Sequence, residues 1–155
     1  MYDKCVKLLE ERGVSLDDIV DLVLYLQGKY HPEILKDEIL LSVQSVIAKR
    51  EVQHAILTGL MIDKIAESEI DMDPQLRAIL LADESLYGID EVLAYGICNL
   101  YGSIALTNYG FIDREKPGIL EKINQHGSQC NVFLDDIVGA IAASAASKIA
   151  HHHGK

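Results

Sequence analysis

Four places in this chain set acids, and in one case a lysine, where a bland helical protein would not carry them. They are Asp63, the Asp90–Glu91 pair, Asp113 with Lys116, and the Asp135–Asp136 pair. Hard oxygen ligands brought together from separate helices in a bundle interior are a standard way to hold Mg²⁺, with Mn²⁺ as a substitute. Neither His nor Cys accompanies these acids at zinc spacing, which disfavours zinc. A lysine beside them offers a compact positive charge for a phosphate oxygen. Together these residues would offer a site for a hard cation with a positive charge beside it for phosphate.

Each acid also has a plainer reading. In "REVQHAILTGLMIDKIAE" the apolar stripe runs Val52, Ile56, Gly59, Ala66, and Asp63 falls in its middle. A buried acid needs a cation or strong donors, so Asp63 is either part of a site or a satisfied salt bridge. Asp90 and Glu91 open a helix, where the dipole favours acids in any case. Glu91 shares a face with Tyr95, Cys98 and Gly102. Asp83 and Ser85 read as ordinary capping residues. Asp113 and Lys116 fall in "NYGFIDREKPG", read as a loop that Pro117 fixes, where a charged pair is either functional or merely solvated. Asp135 and Asp136 would serve equally as N-cap and N1 residues of the helix they precede.

The elements that must position these groups all read as helices. "MYDKCVKLLEERG" is a first helix closed by Gly13, and Ser15 caps a second that carries Asp17 and Asp18 in its first turn. "HPEILKDEILLSVQSVIAKREVQHAILTGLMIDKIAES" holds two helices or one kinked pair, and Pro74 starts another. "YGIDEVLAYGICNLYGSIALT" reads as one segment, followed by the loop, the short helix "ILEKINQ" and a last helix. That last helix is apolar or small on every side, with Val138, Ile141, Ala145 and Ile149 on one face and Gly139, Ala142, Ala143 and Ala146 on another. It must therefore be enclosed by the others. With no run that alternates like a strand, the expected class is all-α: a multihelical bundle around a central last helix.

With 155 residues, residues 1–150 are expected to form one helical domain, and 151–155, "HHHGK", a flexible tail. The hydrophobic share of 49 % excludes a largely disordered chain, and the net charge of -10 is a poor match to nucleic acid. Cys5, Cys98 and Cys130 form no CxxC pair, and no secretory signal opens the chain, so reduced thiols in a cytoplasmic protein are expected. The longest apolar window, Val92–Thr107, is interrupted by Asn99 and by glycine and serine, and falls short of the roughly 18 residues of a membrane span. Walker A, GxSxG and dinucleotide fingerprints are absent.

"IDEVLA", "FIDREKPGILEKIN" and "FLDDIVGAIAA", in this order and spacing, resemble the phosphatidylglycerophosphatase A family, in its small soluble branch. The likeness covers roughly residues 53–146. It maps the family's Asp-Glu, Asp-x-x-Lys-Pro and Asp-Asp motifs onto Asp90 and Glu91, onto Asp113, Lys116 and Pro117, and onto Asp135, Asp136 and Gly139. The resemblance implies an all-helical, Mg²⁺-dependent phosphatase that converts phosphatidylglycerophosphate to phosphatidylglycerol. In that scheme Asp90, Glu91, Asp135 and Asp136 hold the metal, and Asp63, Asp113 and Lys116 do the chemistry, with Asp63 as a further ligand or the general base. The implied partner is a phosphorylated lipid head group, met by peripheral membrane contact, in a homo-oligomer. Two family features are missing: the amino-terminal Pro-Gly-Thr-x-Gly-Ser motif of the membrane-bound members, and an arginine where this chain has Gly110. Two other readings therefore stand beside it. One is a phosphatase acting on a small soluble phosphomonoester; the other is a non-catalytic oligomeric protein that keeps the fold.

Overall fold

A computed structural model describes residues 1–125 and 127–154. Among them are nine helices and no strand: α1 Tyr2–Glu11, α2 Leu16–Gln27, α3 Lys36–Ile47, α4 Arg50–Ala66, α5 Pro74–Leu81, α6 Ile89–Asn99, α7 Ser103–Glu115, α8 Ile119–Ile123 and α9 Val132–His153. The chain is all-α, as its periodicity predicts. Helix α9 is the axis: α2, α3, α4, α6, α7 and α8 all pack on it. Every residue of α9 from Val132 to Ser147 is buried. An isolated helix so poor in polar surface would not be stable, and enclosure on all sides is what its composition demands.

Small residues set how closely the neighbours approach. A Cβ placed on Gly59 of α4 would stand 2.5 Å from Ile137 Cδ1 and 3.0 Å from Phe133 Cβ, so the two backbones meet there because no side chain intervenes. Gly139 is looser, since its Cβ would lie 3.6 Å from Ile112 Cγ2 and 3.7 Å from the Tyr109 ring, ordinary contact distances. Further along, Ser42 Oγ donates to the Ala145 carbonyl at 3.1 Å and Ser147 Oγ to the Tyr101 carbonyl at 2.9 Å, so these two buried hydroxyls are spent on backbone acceptors.

The expected caps hold at α2, where Ser15 and Asp18 form a complete capping box, and at α5, where Pro74 takes the first position and Asp73 caps. Five boundaries differ from the sequence reading. The segment read as one run from Tyr87 breaks after α6, and Gly102 turns the chain at φ 87°. The stretch read as a loop is helical through Glu115, so Asp113 lies in the last turn of α7. Lys116 then closes the helix in the left-handed region, at φ 48° and ψ 50°, a place that glycine usually takes and that sequence alone assigns poorly to lysine. Gly88, not Asp83 or Ser85, is the N-cap of α6. Finally, α9 begins after Asn131, so Asp135 and Asp136 are its fourth and fifth residues, past the capping positions. Residues 151–153, read as a tail, form its last turn, and Lys155 lies outside the described residues. Among the described residues, no helix is long and apolar enough to cross a membrane.

Candidate metal and phosphate site

One face of α7 carries Tyr109, Ile112 and Asp113, and the C-cap Lys116 continues it, because steps of three and four residues return to the same side of a helix. That face lies against the first turns of α9. There Asp135 and Asp136, about 100° apart around the axis, meet different residues of α7. Lys116 Nζ donates to Asp113 Oδ1 at 2.6 Å and to Asp135 Oδ2 at 2.7 Å, bridging the two helices. The Tyr109 hydroxyl donates to Asp136 Oδ1. Carboxylate oxygens of Asp113, Asp135 and Asp136 all lie within 4.8 Å of one another. Tyr95 of α6 closes this side, its ring edge-on to Tyr109 at 5.4 Å.

The electrostatics of the group are lopsided: three carboxylates share one ammonium. Burial, and then the charge of Asp135, push the Asp136 carboxyl well above its usual range, with the Tyr109 hydrogen bond offsetting part of this. Burial raises Asp135 too, against the pull of Lys116. Burial disfavours the Lys116 ammonium, but Asp135 and Asp113 outweigh it and hold the pKa above the ordinary lysine value. Burial and the neighbouring Asp136 raise Tyr109, which stays a neutral donor. Two carboxyls that resist ionisation beside a third mark a place short of positive charge. An oxygen-only donor set of this kind suits a hard divalent cation such as Mg²⁺ or Mn²⁺.

The other residues singled out by sequence stand apart from this cluster. Asp90 Oδ1 accepts the Glu91 backbone N–H at 3.0 Å, a local bond in the first turn of α6, and Glu91 is exposed. Their charges still reach the site, Asp90 acting on Asp136 and Glu91 on Tyr109. Asp63 is fully buried on α4 at the amino-terminal end of α9, where it accepts the N–H groups of Phe133 (3.1 Å to each oxygen) and Leu134 (3.0 Å). It belongs to no metal-sized group of acids among the described residues. Sequence reasoning missed Tyr109 and Arg12. Tyr109 sits one turn before Asp113, and that i, i+4 spacing was the available signal. Arg12 closes α1, is buried, and pairs with Glu67, a partner 55 residues away that no local pattern reveals. Beside Asp135, a cavity of about 80 Å³ is lined by Leu80, Asp83, Gln129 and Asn131 among others.

Comparison with known proteins identifies the chain's relatives. The family model described as phosphatidylglycerophosphatase A matches residues 9–151. The uncharacterized protein YutG of Bacillus subtilis (strain 168) is 56 % identical over 152 residues, which cover 97 % of this chain and 91 % of YutG. A solved structure of a Bacillus stearothermophilus protein of unknown function superposes with a TM-score of 0.94 at 53 % identity, covering 98 % of this chain and 94 % of that one. The low temperature requirement C protein of Listeria monocytogenes gives a TM-score of 0.94 at 54 % identity, with 99 % and 97 % covered. With that family model matched over nearly the whole chain, this chain belongs to the phosphatidylglycerophosphatase A family, in the branch that contains YutG.

Proposed function

We propose that this protein is a Mg²⁺-dependent phosphomonoesterase, and that its substrate is the terminal phosphate of phosphatidylglycerophosphate. The observation that carries the reading is Lys116, held by Asp113 and Asp135 beside the Asp136–Tyr109 pair. Asp113, Asp135 and Asp136 would hold the cation, with Asp90 and Glu91 adding negative potential from α6. When bound, the cation would polarise the phosphoryl oxygens and make water a better nucleophile.

The chain's own residues account for the rest. Lys116 neutralises a phosphoryl oxygen, and its two carboxylate partners aim the ammonium before the substrate arrives. Tyr109 fixes one oxygen of Asp136, which has no other donor among the described residues. Asp113 is the most exposed of the three acids, its side chain at 32 %, and it takes the proton of the attacking water once Lys116 turns to phosphate. The ester's P–O bond breaks, and the departing alcohol oxygen is protonated from solvent. Asp63, sealed at the far end of α9's first turn, has no place in these steps.

Phosphate release tests the proposal, measured with and without Mg²⁺ on phosphatidylglycerophosphate and, in parallel, on free glycerol phosphates. The expected result is Mg²⁺-dependent release from the lipid that drops at least about 100-fold in Asp136→Asn. Release confined to the glycerol phosphates would assign a soluble substrate instead. Equal, metal-independent rates for wild type and variant would exclude catalysis by this site.

A further inference from the structure

The start of α9 is held by residues from two other helices more firmly than by its own turn. Asn131, the N-cap, makes no side-chain cap bond, and the first-turn bond from Asp135 N–H to the Asn131 carbonyl is long at 3.5 Å. The exposed donors are met from α4 instead. Asp63 accepts from Phe133 and Leu134, and the Cys130 thiol lies 3.7 Å from Asp63 Oδ1. One turn further along α4, Glu67 accepts the Cys130 N–H at 2.7 Å. Arg12, itself paired with Glu67, donates to the Cys130 carbonyl at 2.6 Å and to Asn131 Oδ1 at 3.2 Å. Residues 130–134 are thus gripped from α1 and α4, and the next two residues are Asp135 and Asp136.

We infer that Asp63, with Glu67 and Arg12 behind it, is a positioning residue: it fixes the rotation and register of α9's first turn and so aims Asp135 and Asp136 at Lys116, Asp113 and Tyr109. This rests on the proposed site, and it replaces a direct chemical role for Asp63. The geometry is specific to that task. Both carboxylate oxygens are occupied by N–H groups from the two residues immediately before the aspartate pair, so a rotation of the helix start would move both acids and break both bonds. A rigid core contact would resist such a rotation less well, since apolar packing is not directional, whereas hydrogen bonds are.

The test titrates Mn²⁺ against wild type, Asp63→Ala, Asp63→Asn and a control, Ile47→Val, which truncates a core residue of α3, all well below their melting temperatures. Amide hydrogen exchange across residues 132–136 is followed in the same proteins. A positioning role predicts Mn²⁺ affinity about 10- to 100-fold weaker in Asp63→Ala and largely recovered in Asp63→Asn, which keeps one acceptor oxygen. It also predicts faster exchange at residues 132–136 in Asp63→Ala and no change in either readout for Ile47→Val. Equal, complete loss of binding in Asp63→Asn and Asp63→Ala would make Asp63 a direct ligand and overturn the inference. Affinity and local exchange in Asp63→Ala at wild-type values would overturn it as well. If wild type binds no Mn²⁺, the metal reading of the site fails, and exchange alone decides: local opening at 132–136 supports the positioning role, and uniform or unchanged exchange contradicts it. Should Asp63→Ala fail to fold, Glu67→Ala, which removes the acceptor of the Cys130 N–H, carries the comparison, with local opening of 130–134 expected there and not in Asp63→Asn, and its absence in Glu67→Ala contradicting the role.

Discussion

Lys116 and Asp63 show how differently two buried charges can be used. Among the described residues Lys116 is the one cation paired with any of these three acids, so removing it strands negative charge that burial already penalises. Lys116→Ala is therefore expected to cost about 2–3 kcal/mol, discounted for its partial exposure, and to regain part of that loss on adding Mn²⁺; thermal melts with and without the ion check this. Asp63 is sealed among apolar residues, and burial raises its pKa from 3.8 to about 7 despite the Phe133 and Leu134 N–H groups. The folded state thus holds the proton more tightly than the unfolded chain does. Its contribution to stability is fullest below about pH 4 and is lost as pH rises through about 7. Asp63→Asn, which cannot ionise, should gain on wild type by on the order of a few kcal/mol between those limits. Denaturant melts of both proteins across that range would show it, and parallel curves would contradict it.

At the scale of elements, the bundle depends on how closely α4 and α7 approach α9, and the two glycines at those crossings are not equivalent. At Gly59 an added methyl meets Phe133 Cβ and Ile137 at distances that force a shift, whereas at Gly139 it meets only ordinary contacts. Gly59→Ala should destabilise by about 1–2 kcal/mol, because overpacking exceeds the gain in helix propensity. Gly139→Ala should be neutral or stabilising by up to about 1 kcal/mol, since only the propensity term remains. Melting temperatures of the two variants decide between this and equal sensitivity. These elements were legible to different degrees. The all-helical class and the enclosure of α9 followed from periodicity and from a helix with no polar face. The end of α7 did not, because Lys116 adopts a left-handed conformation that tertiary ion pairs sustain and that no residue preference signals. Asp63 was visible as an acid in an apolar stripe, but its partners are backbone N–H groups 70 residues away, which side-chain patterns cannot show.

For the whole molecule, α9 runs through the middle, and two of the three motifs meet because α7 packs against it. The Asp113–Lys116 and Asp135–Asp136 motifs meet directly, while Asp90 and Glu91 act across α6 at longer range. Family membership points to phosphatase-like chemistry, and the α7–α9 junction is the site proposed for it. The measurement that bears on this most directly is anomalous diffraction from a crystal soaked in Mn²⁺. The peak is expected among Asp113, Asp135 and Asp136, next to Lys116. A soaked crystal with no peak there, or with its peak at Asp90 and Glu91 alone, would contradict it.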